Sequence, residues 1–335
     1  MPKINISIKD LSVLVSSALE RSKTDPKIAS TVAKYLVKAE MDGKKGHGLS
    51  RVKSYCLHSN SGKVDGYAFP KIVQNSNNLL VVDASFGFAY PAFEMLIANL
   101  SEITNNSSIS MGYIINSHHF GVAGHHVENA AENGKISILF GNTPSALIPW
   151  GGKNALFGTN PIAFGAPNKD KNHLIIDMAL SKVSRGKILK ASQDGEIIPS
   201  DWGLDINGNS TTEPKNILNG GGLLPFGDAK GSSLAIMVEV LTAVISGGNF
   251  SFQSSSMFDA LGGSPKLSQL MIMIDPSNFL SIEEYFSRLN FMFDEIKKQP
   301  NTRIPGSNRL KLRKLAFENG MSIERKIIED IESIK

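Results

Sequence analysis

Three observations on this 335-residue chain predict an α/β fold. Short apolar runs rich in β-branched residues recur between residues 79 and 274, helical stretches separate them, and further helices flank the alternation. Such alternation packs helices on the faces of a sheet. The N-terminal helices and a basic tail from about Pro305 read as a separate helical part.

Along the chain, residues 10–22 place Leu11, Val13, Leu14, Ala18 and Leu19 close to a helical period. A second helix has Asp25 as N-cap, Pro26 in its first turn, Ile28, Val32, Leu36 and Ala39 on one face, and a stop at Gly43. Residues 79–83, 110–115, 136–141, 162–165, 174–177 and 270–274 read as buried strands of one sheet. Residues 91–100, 119–133, 231–245 and 282–298 read as the helices between them. Turn residues dominate 192–222, a loop long enough to be functional or packed over something.

Composition removes several classes of function. With 41% hydrophobic and 20% charged residues the chain is neither disordered nor fibrous. The net charge of +4 is scattered, so no nucleic-acid partner is expected, and the short runs at 169–171 and 309–314 read as solvated surface. A single cysteine, Cys56, excludes an internal disulfide and a cysteine metal cluster, and points to the cytoplasm. No run approaches about 18 uncharged apolar residues, so no membrane partner is expected.

The chemistry-bearing stretches are few. A G-x-G-x-x-G fingerprint and a phosphate loop are both missing, since Asp228 stands where the second motif needs lysine. In 223-LLPFGDAKGSSLAIMVEVL-241, Gly227, Lys230, Gly231 and Ser232 precede a helix whose only charge is Glu239. This is either an anion seat at a helix N-terminus or a tight turn beside a solvated lysine. Four of the seven histidines fall in 116-NSHHFGVAGHHVENAAENG-134, without the i, i+4 spacing of a zinc helix, so no metal is expected. His119 sits where a strand passes into a helix, a usual ligand position in α/β sheets, although a structural histidine fits there too. His47, in 46-GHGLSR-51, follows a helix stop between two glycines, and Arg51 is four residues on. An imidazole able to exchange a proton and a guanidinium able to grip a carboxylate make a reasonable pair. Asp177 ends an apolar strand, as a ligand-site carboxylate or a helix cap. No G-x-S-x-G elbow supports a covalent hydrolase.

Taken together, 46-GHGLSR-51, 116-NSHHFGVAG-124, 151-GGKNALFGTNPIAFGAP-167, 177-DMALSKVSRGK-187 and 223-LLPFGDAKGSSLAIMVE-239 resemble the malate/L-lactate dehydrogenase family of the non-Rossmann type. The resemblance implies a non-Rossmann dinucleotide-binding domain with a mixed sheet, over residues 76–304 with an inserted 118–185 segment. It also implies a helical domain of residues 1–75 with 305–335 carrying His47 and Arg51. The implied reaction is NAD-dependent, or NADP-dependent, interconversion of a small 2-hydroxy acid and 2-keto acid, with cyclic imine carboxylate reduction in some branches. A catalytically impaired dinucleotide-binding paralogue is the alternative. The implied partners are a small carboxylate substrate and a second copy, in a homodimer with the site near the interface. Matched positions give His47 or His119 as acid/base, with Arg51 and Thr159 at the substrate. Thr143, Asp177, Met178, Ala179, Ser181, Lys182, Lys230, Pro305, Gly306 and Ser307 match positions at the cofactor. Four positions depart from the family pattern: Gly46 for serine, His118 for asparagine, Lys182 for an apolar residue, and Ala229 for tyrosine. They leave substrate choice open, and Lys182 raises the question of a ribose phosphate.

Overall fold

A computed structural model describes residues 2–334. The chain opens with β1 (Lys3–Ile6), α1 (Ile8–Arg21) and α2 (Pro26–Met41), then two 3-10 turns over Lys45–His47 and Leu49–Arg51 lead into α3 (Val52–Ser61). β2 (Lys71–Ser76), β3 (Leu79–Asp83), α4 (Ala89–Ser107), β4 (Ile109–Ser117) and α5 (Ala123–Glu132) follow. Next come β5 (Ile136–Gly141), β6 (Ile162–Ala166), β7 (Leu174–Met178), α6 (Arg185–Asp194), β8 (Gly203–Leu204), α7 (Pro214–Leu218) and β9 (Gly222–Leu223). The last third holds α8 (Ala229–Glu239), β10 (Leu267–Ile274), α9 (Ile282–Lys297), α10 (Ser307–Asn319), β11 (Met321–Glu324) and α11 (Arg325–Glu332).

Seven strands form one mixed sheet in the order β2-β3-β4-β10-β5-β6-β7. Only β3 and β4 run parallel; the other neighbours are antiparallel. All six anticipated strands belong to it. The unanticipated β2 is an exposed edge strand, KIVQNS, whose sequence has no buried face to announce it. Leu80, Val82, Phe93, Leu96, Phe120, Val127, Met271 and Met273 pack between the sheet and its helices.

The second apolar cluster joins both ends of the chain. Leu11, Val15 and Leu19 of α1 meet Val32 and Leu36 of α2, Val52 and Tyr55 of α3, Met321 and Ile323 of β11, and Ile328 and Ile331 of α11. β1 pairs antiparallel with β11, Lys3 opposite Glu324. Asp25 caps α2 as its position predicts, its Oδ1 accepting from the N–H groups of Lys27 and Ile28, and Gly43 takes the left-handed conformation that ends the helix.

Three stretches differ from expectation. The helix expected over 119–133 starts at Ala123, because Gly121 takes φ +69 and Val122 is extended, which leaves His118 and His119 on the loop after β4. The stretch at 231–245 passes from α8 into a π turn at Val240–Val244. The 192–222 loop is partly ordered by α7 and the β8–β9 pair. Among the described residues no helix is long and apolar enough to cross a membrane.

A buried ionic cluster ties α2, α5 and α10 together. Arg313 of α10 grips Asp42, just past α2, through Nε to Oδ1 and Nη2 to Oδ2 at 2.6 Å each. It also grips Glu128 of α5 through Nη1 and Nη2 at 2.8 Å. His125 Nε2 reaches Asp42 at 2.9 Å, Arg309 Nε reaches Glu128 at 2.9 Å, and Lys38 Nζ reaches Glu128 at 3.0 Å. Burial pushes the Glu128 carboxyl up, but Arg313, Lys38 and Arg309 outweigh it and hold the group well below the usual carboxylate range. Arg313→Ala removes four bonds from the cluster, leaving buried Asp42 with His125 alone and Glu128 with Arg309 and Lys38. It is expected to lower stability by about 3–5 kcal/mol, read as a lower urea midpoint at unchanged slope.

Candidate active site

The loop from α2 to α3 is wound tightly by its own backbone. His47 N–H donates to Lys44 O at 2.8 Å, Arg51 Nε donates to Gly46 O at 2.8 Å, and Ser50 Oγ donates to Lys45 O at 2.6 Å. The two glycines beside His47 have different causes. A Cβ at Gly48 would collide with Glu40 Oε2 and lie 3.1 Å from the Glu40 nitrogen, whereas a Cβ at Gly46 would meet open space. The backbone approach at Gly48 lets Glu40 Oε2 accept the Leu49 N–H at 3.1 Å, which fixes the turn.

His47 and His119 come from distant parts of the chain and stack nearly parallel, centroids 5.4 Å apart at 8°. The His119 ring is oriented by a hydrogen bond between Nδ1 and the Tyr55 hydroxyl at 2.5 Å, and Tyr55 meets the Tyr90 hydroxyl at 3.0 Å. His119 Nε2 has no partner and is not sealed from solvent, whereas His47 Nδ1 is buried without a partner. Burial, with Arg51, Lys44 and His125, pushes His47 down to about 3. Burial, with Arg51 and His47 foremost among the charges, holds His119 well below its ordinary value. Both rings are therefore neutral at pH 7 in the free protein. The terminal nitrogens of Arg51 have no hydrogen-bond partner among the described residues and stay free to hold an anion.

Five of the residues matched to the cofactor line one cleft of about 410 Å³: Asp177, Met178, Pro305, Gly306 and Ser307, together with Lys44 and Gly124. Asp177 Oδ2 accepts the Gly124 N–H at 3.1 Å and its other oxygen has no bond within the chain. Burial raises its carboxyl, with the Gly124 N–H and Lys44 opposing. A Cβ at Gly124 would make a tight 3.2 Å contact with Asp177, and the bare backbone forms the wall here. An open carboxylate oxygen and a side-chain-free wall fit the hydroxyl and amide donors of a dinucleotide.

The remaining matched residues separate into two groups. Thr143 Oγ1 accepts the Thr159 N–H at 3.0 Å, and Leu180 N–H donates to Thr159 O at 2.8 Å, which sets the GTNP turn beside Ala179 and Ser181. The buried Ser181 hydroxyl is used locally, on Val183 O at 2.7 Å. Lys230 is exposed and does not line the cleft, and Gly231 is required because a Cβ there would collide with the Phe226 carbonyl, so the turn reading accounts for this glycine. Lys182 lies 3.4 Å from Asp201 and 3.5 Å from Asp228, both exposed partners.

Several residues of the site escaped sequence reasoning. Tyr55 lies four residues after Arg51 on one helix face, a spacing that marks it only once His119 is known to arrive there. Phe258 carries two guanidiniums on its ring, Arg51 at 4.8 Å and Arg185 at 5.2 Å. His118 Nε2 meets His58 Nδ1 at 3.0 Å, and His58 Nε2 donates to Asp259 O at 2.9 Å, pinning the loop that carries Phe258. His126 is structural, stacked on Phe93 at 3.6 Å and donating to Phe120 O at 2.8 Å.

Known proteins resemble this chain over nearly its whole length. The profile of the malate/L-lactate dehydrogenase family matches residues 6–332. The (2R)-3-sulfolactate dehydrogenase (NADP(+)) of Chromohalobacter salexigens is 41% identical over 319 residues, 95% of this chain and 94% of that protein. The Δ1-pyrroline-2-carboxylate/Δ1-piperideine-2-carboxylate reductase of Pseudomonas putida is 33% identical over 335 residues, 99% and 97% of the two chains. The solved structure of Δ1-piperideine-2-carboxylate reductase from Pseudomonas syringae pvar. tomato is similar at a TM-score of 0.93 and 33% identity, covering 99% of this chain and 100% of that one.

The glycine contrast is testable: Gly46→Ser is expected to leave the unfolding midpoint unchanged, while Gly48→Ala displaces Glu40 and costs about 1–3 kcal/mol in urea unfolding. The buried histidines set a second expectation. His47 and His126 are pushed down to about 3 and His58 and His125 to about 4, chiefly by burial. Between those values and the unfolded value of about 6.5 the unfolded chain binds more protons than the folded one. Stability contributed by the neutral rings is therefore complete above pH about 6.5 and declines below it, by up to about 1.4 kcal/mol per pH unit for each ring. Denaturant midpoints between pH 7.5 and 5 should fall before the carboxylates titrate; midpoints flat to pH 5 would contradict the neutral assignment.

Proposed function

This chain belongs to the malate/L-lactate dehydrogenase family, and from that premise we propose that it is an NAD(P)-dependent oxidoreductase interconverting a 2-hydroxy acid and its 2-keto acid. The observation that carries the reading is the stacked His47–His119 pair beside Arg51, whose terminal nitrogens are free. Identity of 33% over the whole chain to the imine carboxylate reductase supports cyclic imine carboxylates as the second substrate class.

The chain's own groups divide the work. Arg51 holds the substrate carboxylate with its two terminal nitrogens, so the carbonyl is fixed at one end. NAD(P)H, when bound, supplies the hydride that adds to the carbonyl carbon. His119 Nε2 gives its proton to the carbonyl oxygen as the C=O π pair moves there, so one C–H and one O–H bond form and the ring ends neutral. Tyr55 can donate to or accept from Nδ1, so the same ring accepts the hydroxyl proton in the oxidative direction. His47 lies parallel to it and the two rings share at most one proton, since like charges so close oppose each other. The substrate carboxylate offsets Arg51, the charge that most depresses His119 after burial, and so raises the ring's proton affinity on binding.

Asp177, Met178, Pro305, Gly306 and Ser307 would hold the dinucleotide, with Thr143, Ala179 and Ser181 beside them. We assign the Asp177–Met178 side of this cleft to the α/β part, residues 76–304 with 118–185 inserted, and the Pro305–Gly306–Ser307 side, with the His47–Arg51 loop, to residues 1–75 with 305–335. Exposed apolar residues on α8 and its continuation, Ile236, Met237, Val240, Val244 and Ile245, support a homodimer.

His119→Ala is expected to lower kcat/KM for 2-keto acid reduction by about 10²–10⁴-fold with NAD(P)H affinity unchanged, and His47→Ala to cost less. Folded protein that binds NADH or NADPH yet reduces no 2-keto acid and no cyclic imine carboxylate would overturn the proposal.

A further inference from the structure

Among the described residues, one hydrogen bond and one ring hold the Arg51 side chain. Its Nε donates to the Gly46 carbonyl at 2.8 Å, and its guanidinium lies over the Phe258 ring, 4.8 Å from the centroid. The hydrogen bond alone would let the group pivot about the Nε–H direction. The ring limits that pivot, because a guanidinium over an aromatic face gains from staying there. Phe258 therefore decides where the free terminal nitrogens point. Arg185 rests on the same ring at 5.2 Å.

Local structure does little to hold Phe258. Residues 254–266 form neither helix nor strand, and the ring itself is exposed. The bonds that fix this segment come from α3 and the turn after it. Lys63 is buried just past Gly62, whose left-handed conformation ends α3. Its ammonium donates to the carbonyls of Ser256 at 2.5 Å, Leu261 at 2.8 Å and Asp259 at 3.1 Å. An ammonium has three N–H donors, and here each meets a backbone carbonyl. The nearest carboxylate oxygen, Asp259 Oδ1, stands 3.7 Å away on an exposed side chain. A buried charge satisfied in this way organises backbone around itself instead of pairing with one opposite charge. His58 adds a bond from Nε2 to the Asp259 carbonyl; that nitrogen must donate, so its Nδ1 accepts from His118 Nε2 at 3.0 Å. One helix thus has Arg51 at its start and, about 10 Å along, the groups that fix the loop bearing its platform.

We propose that Lys63 is a positioning residue for the substrate carboxylate: its ammonium, an internal counterpart of a bound monovalent cation, organises residues 256–261 around itself, and Phe258 on that loop orients Arg51. This rests on the proposed role of Arg51 and adds the contacts through which that arginine is kept in register.

Phe258→Leu removes the ring and leaves Lys63 untouched, Phe258→Tyr keeps the ring, and Lys63→Ala removes the charge beneath the loop and leaves Phe258 untouched. Each is assayed on pyruvate, oxaloacetate and Δ1-piperideine-2-carboxylate with NADH and NADPH. On the substrate the wild type prefers, Phe258→Leu and Lys63→Ala should each raise KM about 5–30-fold with kcat within about threefold, while Phe258→Tyr stays within about threefold in both. Propylammonium supplies the carbons and the charge that Lys63→Ala removes. It should restore most of that variant's KM, whereas sodium chloride at the same concentration should not, and Phe258→Leu should gain from neither. An unchanged KM in Phe258→Leu, or a Lys63→Ala defect that propylammonium leaves in place, would overturn the proposal. Where Lys63→Ala does not fold, Lys63→Arg takes its place, since a planar fork cannot aim three donors from one nitrogen: a raised KM at similar kcat upholds the proposal and an unchanged KM overturns it. If none of the three substrates is reduced, the redox reading fails by itself. Calorimetric titration with lactate, malate and pipecolate, with and without NADPH, then decides: binding weakened in Phe258→Leu but not in Phe258→Tyr upholds the positioning role, and equal affinities, or no wild-type binding, overturn it.

Discussion

The site depends on the grip of Arg313 on Asp42 and Glu128. Each partner stands at the root of a functional segment. Asp42 lies five residues before His47, Glu128 is on the helix that follows His119, and Arg313 is on the helix that follows the Pro305–Gly306–Ser307 turn. No apolar contact between these helices would fix their relative rotation as closely as four bonds from one planar group. The contribution is geometry more than net stability, because a fully apolar replacement of similar shape costs little while a single missing partner leaves a buried charge. His125 joins the cluster through Asp42, so the helix behind the site is held in the same frame.

Within that frame the electrostatics are set against charge on the imidazoles. Arg51 faces both His47 and His119, no carboxylate compensates it, and both rings stay neutral until an anion arrives. In the proposed reaction the substrate's own carboxylate alters the proton affinity of the group that must protonate it. Either substrate brings its carboxylate to Arg51, so the charged ring that donates in reduction, and that forms when the ring accepts the alcohol proton in oxidation, costs less in both directions. The Tyr55–Tyr90 hydroxyl pair serves both directions because each oxygen can donate or accept.

Much of this was legible in the residues. Asp25, Pro26 and Gly43 marked α2 because capping is local, and six strands could be read because a buried strand needs a continuous apolar run. His47 with Arg51 and the Asp177 strand end stood out for the same reason: each is a short pattern with few alternatives. What stayed hidden is non-local. Nothing in KIVQNS says edge strand, Lys3–Ile6 gives no sign that it pairs with the far end of the chain, and Arg185 looks like a surface charge until Phe258 is brought beneath it. Nor does the sequence announce that Lys182 comes within 3.4 Å of Asp201 and 3.5 Å of Asp228, both distant along the chain.

The four departures from the family pattern bear on whether such a chain is an enzyme or an impaired relative. Gly46 leaves open space where a Cβ would stand, without disturbing the carbonyl that orients Arg51. His118 is recruited, through His58, to hold the Phe258 loop. Lys182 lies beside Asp201 and Asp228, and Ala229 begins an exposed helix turn away from the Asp177 cleft. None of them touches the His119–Tyr55 bond, the free face of Arg51 or the open oxygen of Asp177. The departures therefore leave in place the groups that the proposed proton transfer needs.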